Sequence, residues 1–379
     1  MRKIGGIANL GNTCYMNAAL QCGIVACEPL AIYFLTEAYL RDLTVAPPES
    51  VSKSIGWLLD EIRNPETRNA IYPNMIKSRI DAKIPRFRGT DQNDCSEFLI
   101  ELLEVLHAEL NVSCKSDPAS LQRRSSSSVS MLTRSASSVA AMSGSIAGKS
   151  ISSINWRSKG EQWWQAHRQK ENSYIRKLYE GAIRSVMTCY KCGGVSARFE
   201  AFTSLILPLN AESFNQTLDD LVHDLFRPEE FDGISCEYCQ RKQKFHREID
   251  VWKLPPYLIM TVSRFSFDYR SVARKLTNFV NYPVTDSFGL EALVAKEAPP
   301  QEFSEYELYA VVEHEGTVNR GHYTAMVKVD NQWAAVNDAR VAIGIDPSRV
   351  VTNNAYMLFY RWKALGNSDF DLDDYLENC

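Results

Sequence analysis

Gly6-Ile-Ala-Asn9-Leu-Gly11-Asn12-Thr13-Cys14-Tyr-Met-Asn17-Ala-Ala-Leu-Gln21 is the stretch on which the reading of this chain turns. It sets a cysteine where a loop rich in Gly and Asn runs into a mostly apolar segment. That segment, Tyr15 to Cys27, is stopped by Pro29 and reads as a buried helix. A thiol at a helix start faces unsatisfied amides and the positive end of the helix dipole. Both favour the thiolate, lowering the pKa and making the sulfur nucleophilic. Cys22 and Cys27, inside the segment, read as packing. A cysteine among apolar residues is more often core than nucleophile, so Cys14 needs partners elsewhere.

The nearest partner in chemistry is far away in sequence. Of six histidines, His322 stands out in Arg320-Gly321-His322-Tyr323-Thr-Ala325, at the mouth of a strand and after a loop holding Gly316 and Gly321. Asn337, fifteen residues later, stands in Trp333-Ala-Ala-Val-Asn337-Asp338, on what would be the neighbouring antiparallel strand. A His on one strand and an Asn or Asp on the next can share a hydrogen bond that fixes the imidazole tautomer and aims it at a sulfur. Taken alone, His322 reads better as a satisfied surface histidine, until the other motifs are weighed.

Four more cysteines are grouped. Cys189-Tyr-Lys-Cys192 and Cys236-Glu-Tyr-Cys239 are two Cys-x-x-Cys knuckles, 43 residues apart. Each puts two thiolates on a tight turn, and together they complete a tetrahedral S4 site for Zn2+. The separation exceeds a compact ribbon, so the knuckles should tip separate hairpins. Four protein ligands leave no open position, which makes such a metal structural.

Around these motifs the chain divides by periodicity. Residues 1–112 read as largely helical. Phe98, Leu99, Leu102, Leu103, Leu106 and Leu110 recur at helical spacing, and Asp94 with Glu97 resembles a capping box. Residues 113–172 read as a flexible insertion and its flank, since 16 of the 41 residues from Ser113 to Ser153 are serine and none is aromatic. Beyond it, Ala201–Leu209, Glu248–Leu254, Tyr257–Phe267, Leu308–Glu313, His322–Val329 and Ala355–Trp362 read as strands. Residues 363–379 read as a mobile acidic tail. The fold class is therefore α+β, a helical part followed by a sheet part.

Composition excludes several classes. Lys plus Arg is 42 against 46 for Asp plus Glu, a net charge of −4, which argues against nucleic-acid binding through a basic surface. No apolar run approaches the ~20 residues of a membrane span, so no membrane partner is expected. Met1-Arg-Lys-Ile-Gly-Gly lacks an apolar signal core. Ten cysteines in a chain that is not exported would sit in a reducing compartment, so a cytoplasmic or nuclear location is expected.

Taken together, the segments resemble the ubiquitin-specific protease family. The resemblance runs through the Cys14 stretch, Gln92-Asn-Asp94-Cys-Ser-Glu97-Phe98, the two knuckles, Leu254-Pro-Pro-Tyr-Leu-Ile-Met-Thr-Val-Ser-Arg264-Phe265, Asn281-Tyr-Pro283, Tyr309-Ala-Val-Val-Glu-His314 to Ala325, Trp333 to Val341 and Ala355 to Tyr360. It implies a papain-like fold of thumb, palm and zinc-tipped fingers, a single catalytic domain over residues 1–379. Residues 1–112 would be the thumb and 173–362 the fingers and palm. The implied activity is hydrolysis of the bond after the terminal glycine of ubiquitin through a Cys thioester, with ubiquitin and ubiquitinated proteins as partners. The resemblance implies Cys14 as nucleophile, His322 as base and acid, Asn337 as third member with Asp338 as its alternative, and Asn9 as oxyanion donor. It also implies Asp94, Gln92, Phe265 and Tyr323 as residues lining the cleft for the ubiquitin tail. Asn93, Ser263 and Ala18 depart from the family's usual residues without removing chemistry. The alternative is a catalytically silent, zinc-held ubiquitin-binding scaffold. Arg-flanked serines in the insertion leave room for a kinase or a regulatory partner.

Overall fold

The computed structural model describes residues 4–46, 49–64, 70–115, 131–132, 146–267, 273–301, 304–318 and 320–366. The serine-rich residues 116–130 and 133–145 and the tail from 367 onward lie outside the described residues.

The helical part is built on two helices that cover each other. Cys14–Leu20 is an α-helix in which every residue is buried, and it continues as a π-helical turn over Gln21–Val25. Pro29 does not simply stop this segment. It occupies the first turn of the next helix, Glu28–Leu35, where its missing N–H has no intrahelical partner to lose. The long helix Cys95–Leu110 packs on the first one, with Phe98, Leu99, Leu102, Leu103, Leu106 and Leu110 at most 1% exposed. Asp94 caps it, its carboxylate accepting the Glu97 N–H at 2.9 Å. The Glu97 side chain turns outward to Arg86 instead, at 3.1 Å.

Among the described residues the sheet part has two large sheets and two small two-stranded ones, 265–267 with 273–275 and 215–217 with 279–281. The palm sheet runs in the order 131–132, 204–208, 257–263, 355–362, 305–316, 321–329, 332–337 and 340–345. Its pairs from 257–263 onward are antiparallel, while the first two pairs are parallel. One face shares a continuous core with the helices, and the other is covered by the helix Leu218–Phe226. The fingers are a five-stranded antiparallel sheet in the order 146–148, 195–202, 181–189, 241–253 and 229–236.

Two expected strands divide where the chain changes partners. The run from 201 to 209 breaks at Thr203, with Val195–Phe202 in the fingers and Ser204–Pro208 in the palm. The run from 257 to 267 breaks at Arg264, whose fully buried guanidinium donates to the carbonyls of Ala355, Leu276 and Asn278. Alternation along one strand cannot reveal that its two ends belong to different sheets.

The expectation of a flexible flank up to residue 172 is corrected. Ile146–Gly148 adds an edge strand to the fingers, and Trp156–Lys170 is a helix capped by Asn155. That helix lies on the back of the fingers. Trp156 is 4% exposed, Trp163 stacks on Phe199, and Gly160 sits so close to Trp252 that an added Cβ would be 2.2 Å from its ring. Few apolar residues serve here because each indole buries so much area. Among the described residues no single helix is long and apolar enough to cross a membrane.

Candidate active site and metal centre

The first turn of the Cys14–Leu20 helix packs against the strand Gly321–Val329, so the thumb meets the palm at Cys14. Cys14 and Tyr323, the residue following His322, line one cleft, and the Tyr323 amide favours the thiolate. Separation by about three hundred positions is thereby closed where the helix meets the strand. His322 Nε2 lies 2.9 Å from Asn337 Oδ1, on the adjoining strand. With Nε2–H donating to that carbonyl, Nδ1 is the nitrogen left without a proton, which is what abstraction from a thiol requires.

Asp338 takes a different position from its neighbour. It has left the strand in the left-handed region, at φ 48°, as the start of the turn into Arg340–Ile345. Its Oδ2 is 3.9 Å from His322 Nε2, and its carboxylate instead accepts from Asn9 Nδ2 at 2.9 Å and Asn17 Nδ2 at 2.7 Å. Asn9 is held at both ends. Its Oδ1 accepts the N–H groups of Gly11 and Thr13, each at 3.0 Å, which turns its amide nitrogen outward. That nitrogen carries two hydrogens, and Asp338 uses one.

The expected depression of the Cys14 pKa is also corrected. Burial pushes the thiol above its ordinary range, and the Asp338 carboxylate adds to this. The N–H groups of Tyr323, Tyr15 and Cys14 pull the other way without reversing it. A helix of seven residues without a side-chain cap has too little dipole to overcome a buried site. Alkylation of Cys14 by iodoacetamide in the free protein should therefore keep accelerating as pH rises past about 8.5, the ordinary thiol value. The sign follows from the raised pKa, since the thiolate fraction at any given pH is smaller. A rate already maximal near pH 6 would contradict it.

Beside Cys14 opens a cleft of about 250 Å³, whose lining includes Gln92, Asp94, Glu97, Phe265, His314 and Tyr323. The Gln92 side chain bridges the cleft, accepting from Gly321 N at 3.0 Å and donating to Gly321 O at 3.3 Å. Asp94 Oδ2 accepts from Tyr356 at 2.6 Å and from Tyr323 at 3.4 Å. His314 is buried against Tyr323, and burial, then the charges of Lys275 and His322, push it down to about 4, so it is neutral. Of the residues singled out from the sequence, Cys14, Gln92, Asp94, Phe265 and Tyr323 line this cleft, while His322, Asn337, Asp338 and Asn9 form a linked group reached through Gly321 and Tyr323. Asn17, His314 and Tyr356 lie in stretches that carry the family resemblance, but no local pattern gives them a role, because each acts through a contact with another element.

The knuckles occupy two hairpin tips. Cys189 and Cys192 join strands 181–189 and 195–202, and Cys236 and Cys239 join strands 229–236 and 241–253. Pairing of 181–189 with 241–253 brings the tips together, and all four sulfurs lie within 4.8 Å of one another. Cys189–Cys239 is 3.9 Å and Cys192–Cys236 is 3.6 Å. Tetrahedral Zn–S bonds of about 2.3 Å demand S–S separations of about 3.8 Å, which these match. The amides of Gly194 and Cys239 each donate to a knuckle sulfur at 3.4 Å, as thiolate ligands need. Against the effect of burial, the amides of Cys192 and Lys191 help draw Cys189 down to about 7.

A thiol beside Gly321 and Tyr323, which flank an imidazole paired with a carboxamide, at the junction of a helical and a sheet part is the arrangement of a cysteine-hydrolase type of site. The family described as ubiquitin carboxyl-terminal hydrolase matches residues 5–360. This chain belongs to that family. It is 31% identical over 366 residues to ubiquitin carboxyl-terminal hydrolase 2 of Rattus norvegicus, covering 94% of this chain and 54% of the relative. It is 30% identical over 369 residues to the protein of that name from Gallus gallus, covering 95% of this chain and 94% of the relative. The chain spans about half the length of the rat and bovine relatives it matches. Among solved structures, the SAGA Ubp8/Sgf11/Sus1/Sgf73 DUB module bound to ubiquitin aldehyde matches with TM-score 0.70 at 19% identity, over 96% of this chain and 70% of the other. The fold is accordingly that of a ubiquitin-specific protease.

Proposed function

We propose that this chain is a deubiquitinating thiol hydrolase that cleaves the bond after the C-terminal glycine of ubiquitin. The observation that carries the reading is a cleft lined by Cys14, Gly321 and Tyr323, the latter two flanking a His322 paired with Asn337. His322 Nδ1 takes the thiol proton as the Cys14 sulfur attacks the glycine carbonyl, and then gives it to the departing amine. The thioester left on Cys14 is hydrolysed by water activated through the same nitrogen. Asn337 holds the ring throughout. Because it orients without carrying charge, it suits a thiolate–imidazolium pair. The free hydrogen on Asn9 Nδ2 faces the developing oxyanion. A ubiquitin derivative with an electrophilic C-terminus should form a covalent adduct with the protein and none with Cys14→Ala. Failure of the unsubstituted protein to react would leave the silent ubiquitin-binding scaffold.

The contacts of Asn9 and Asp338 separate their roles. Asn9→Ala should lower kcat roughly 10²–10³-fold with KM little changed, the usual loss of one oxyanion donor. Asp338 works through the same amide, so adding Asp338→Ala to Asn9→Ala should cost little more. Fully additive losses would mean that Asp338 acts on the imidazole instead.

The same reading fills the four-cysteine site with Zn2+, bound by Cys189, Cys192, Cys236 and Cys239 as a structural ion supporting the fingers that grip ubiquitin. It makes Asp94, Gln92, Phe265 and Tyr323 the walls around the ubiquitin tail. It places the protein in the cytoplasm or nucleus, in keeping with ten cysteines of which four form a metal-binding set. The Arg-flanked serines of the insertion remain candidate kinase sites on sequence grounds.

A further inference from the structure

Tyr356 belongs to none of these roles. It is 4% exposed on the strand Ala355–Trp362, between the palm strands 257–263 and 305–316. It lies behind the cleft rather than in its lining. Yet its hydroxyl crosses from palm to thumb, donating to Asp94 Oδ2 at 2.6 Å across 262 positions of sequence. Asp94 Oδ1 is already committed to the Glu97 amide at 2.9 Å. A cap alone fixes one oxygen and leaves the carboxylate plane free to turn about a broad torsion. A second donor on the other oxygen fixes the plane.

The donor itself is rigid. Its ring packs 5.3 Å from Phe265, 5.9 Å from Tyr323 and 6.5 Å from His314. Burial, then the Asp94 charge, push the phenol well above its ordinary range, so it stays protonated and donates. Tyr323 adds only a longer contact, 3.4 Å, to the same oxygen.

We propose that Tyr356 is a positioning residue for substrate binding: its hydroxyl holds the Asp94 carboxylate, and with it the start of the Cys95–Leu110 helix, in place at the cleft wall to receive the backbone of the ubiquitin tail. The proposal rests on the reading of Asp94 as a tail acceptor. A carboxylate ordered in advance costs the substrate nothing to order, so the effect falls on binding and not on the chemical step. It also joins thumb to palm at the place where the tail must pass between them.

The test compares Tyr356→Phe, Asp94→Asn and their double variant on ubiquitin bearing a fluorogenic C-terminal amide. Asparagine caps a helix about as well as aspartate, so Asp94→Asn keeps the helix start. Tyr356→Phe should raise KM about tenfold, equivalent to ~1.4 kcal/mol, and keep kcat within about twofold. The double variant should bind no worse than Asp94→Asn alone. Iodoacetamide should modify Cys14 in Tyr356→Phe at the unsubstituted rate. An unchanged KM in Tyr356→Phe, with KM raised in Asp94→Asn, overturns the proposal and leaves the tail reading intact. An unchanged KM in Asp94→Asn overturns the tail reading itself. A fall in Tm and kcat with KM unmoved would reduce Tyr356 to a packing residue. Should Tyr356→Phe lower Tm, the ubiquitin Kd in a Cys14→Ala background, read below that Tm, gives the same comparison.

Discussion

Replacing Cys14 by alanine is expected to remove turnover of ubiquitin conjugates by roughly 10⁴–10⁶-fold in kcat, the scale on which hydrolases lose a nucleophile. The backbone at the start of the Cys14–Leu20 helix tolerates alanine, and the side chain lost is small. Ubiquitin binding should survive, because cleft walls and fingers are built from other elements. The loss is large because nothing nearby replaces the sulfur: Cys22 and Cys95 are both fully buried, and burial drives both thiols well above their ordinary range. His322→Ala should cost a comparable amount, and the double variant little more than either, since nucleophile and base act as one unit. Residual turnover within tenfold of the unsubstituted protein would refute the assignment of Cys14.

The second large effect is expected from metal removal. Without an ion, the finger hairpins keep the pairing of 181–189 with 241–253 and a small apolar cluster around Met187 and Phe245, but four thiols within 4.8 Å of one another at the tips lose their common ligand. Structural zinc contributes roughly 10–16 kcal/mol to the folding of zinc-finger peptides, far more than such a cluster. Chelation, or Cys189→Ser, should therefore unravel the fingertips and weaken ubiquitin binding at least about tenfold. The thumb and palm have their own cores and should remain folded. Iodoacetamide modification of Cys14 should accordingly proceed at its usual rate. Ubiquitin affinity that persists after complete loss of metal would show that the fingertips play no part in binding.

Local chemistry was legible wherever residues near in sequence act together. The Cys-x-x-Cys spacing announces a metal knuckle because both ligands sit on one turn. The leucine spacing of 98–110 announces a helix because one face must be dry. Asn9 and Cys14 are tied through Thr13 and Gly11, four and two positions away from Asn9. Even the choice between Asn337 and Asp338 was half legible, since adjacent residues on a strand cannot both face one imidazole.

What sequence alone determined is therefore the set of candidate reacting groups, the four cysteines able to hold a metal and the α+β class, all of which follow from residue type and short-range period. Tertiary structure decided the rest. It turned Asp338 away from His322 to Asn9 and Asn17, raised the Cys14 thiol by burial, packed the Trp156–Lys170 helix on the fingers, and set Tyr356 against Asp94. Each of these depends on which distant surface comes to lie beside a residue. A side chain's partners and its exposure to water are properties of the packed interior, and no local pattern carries them.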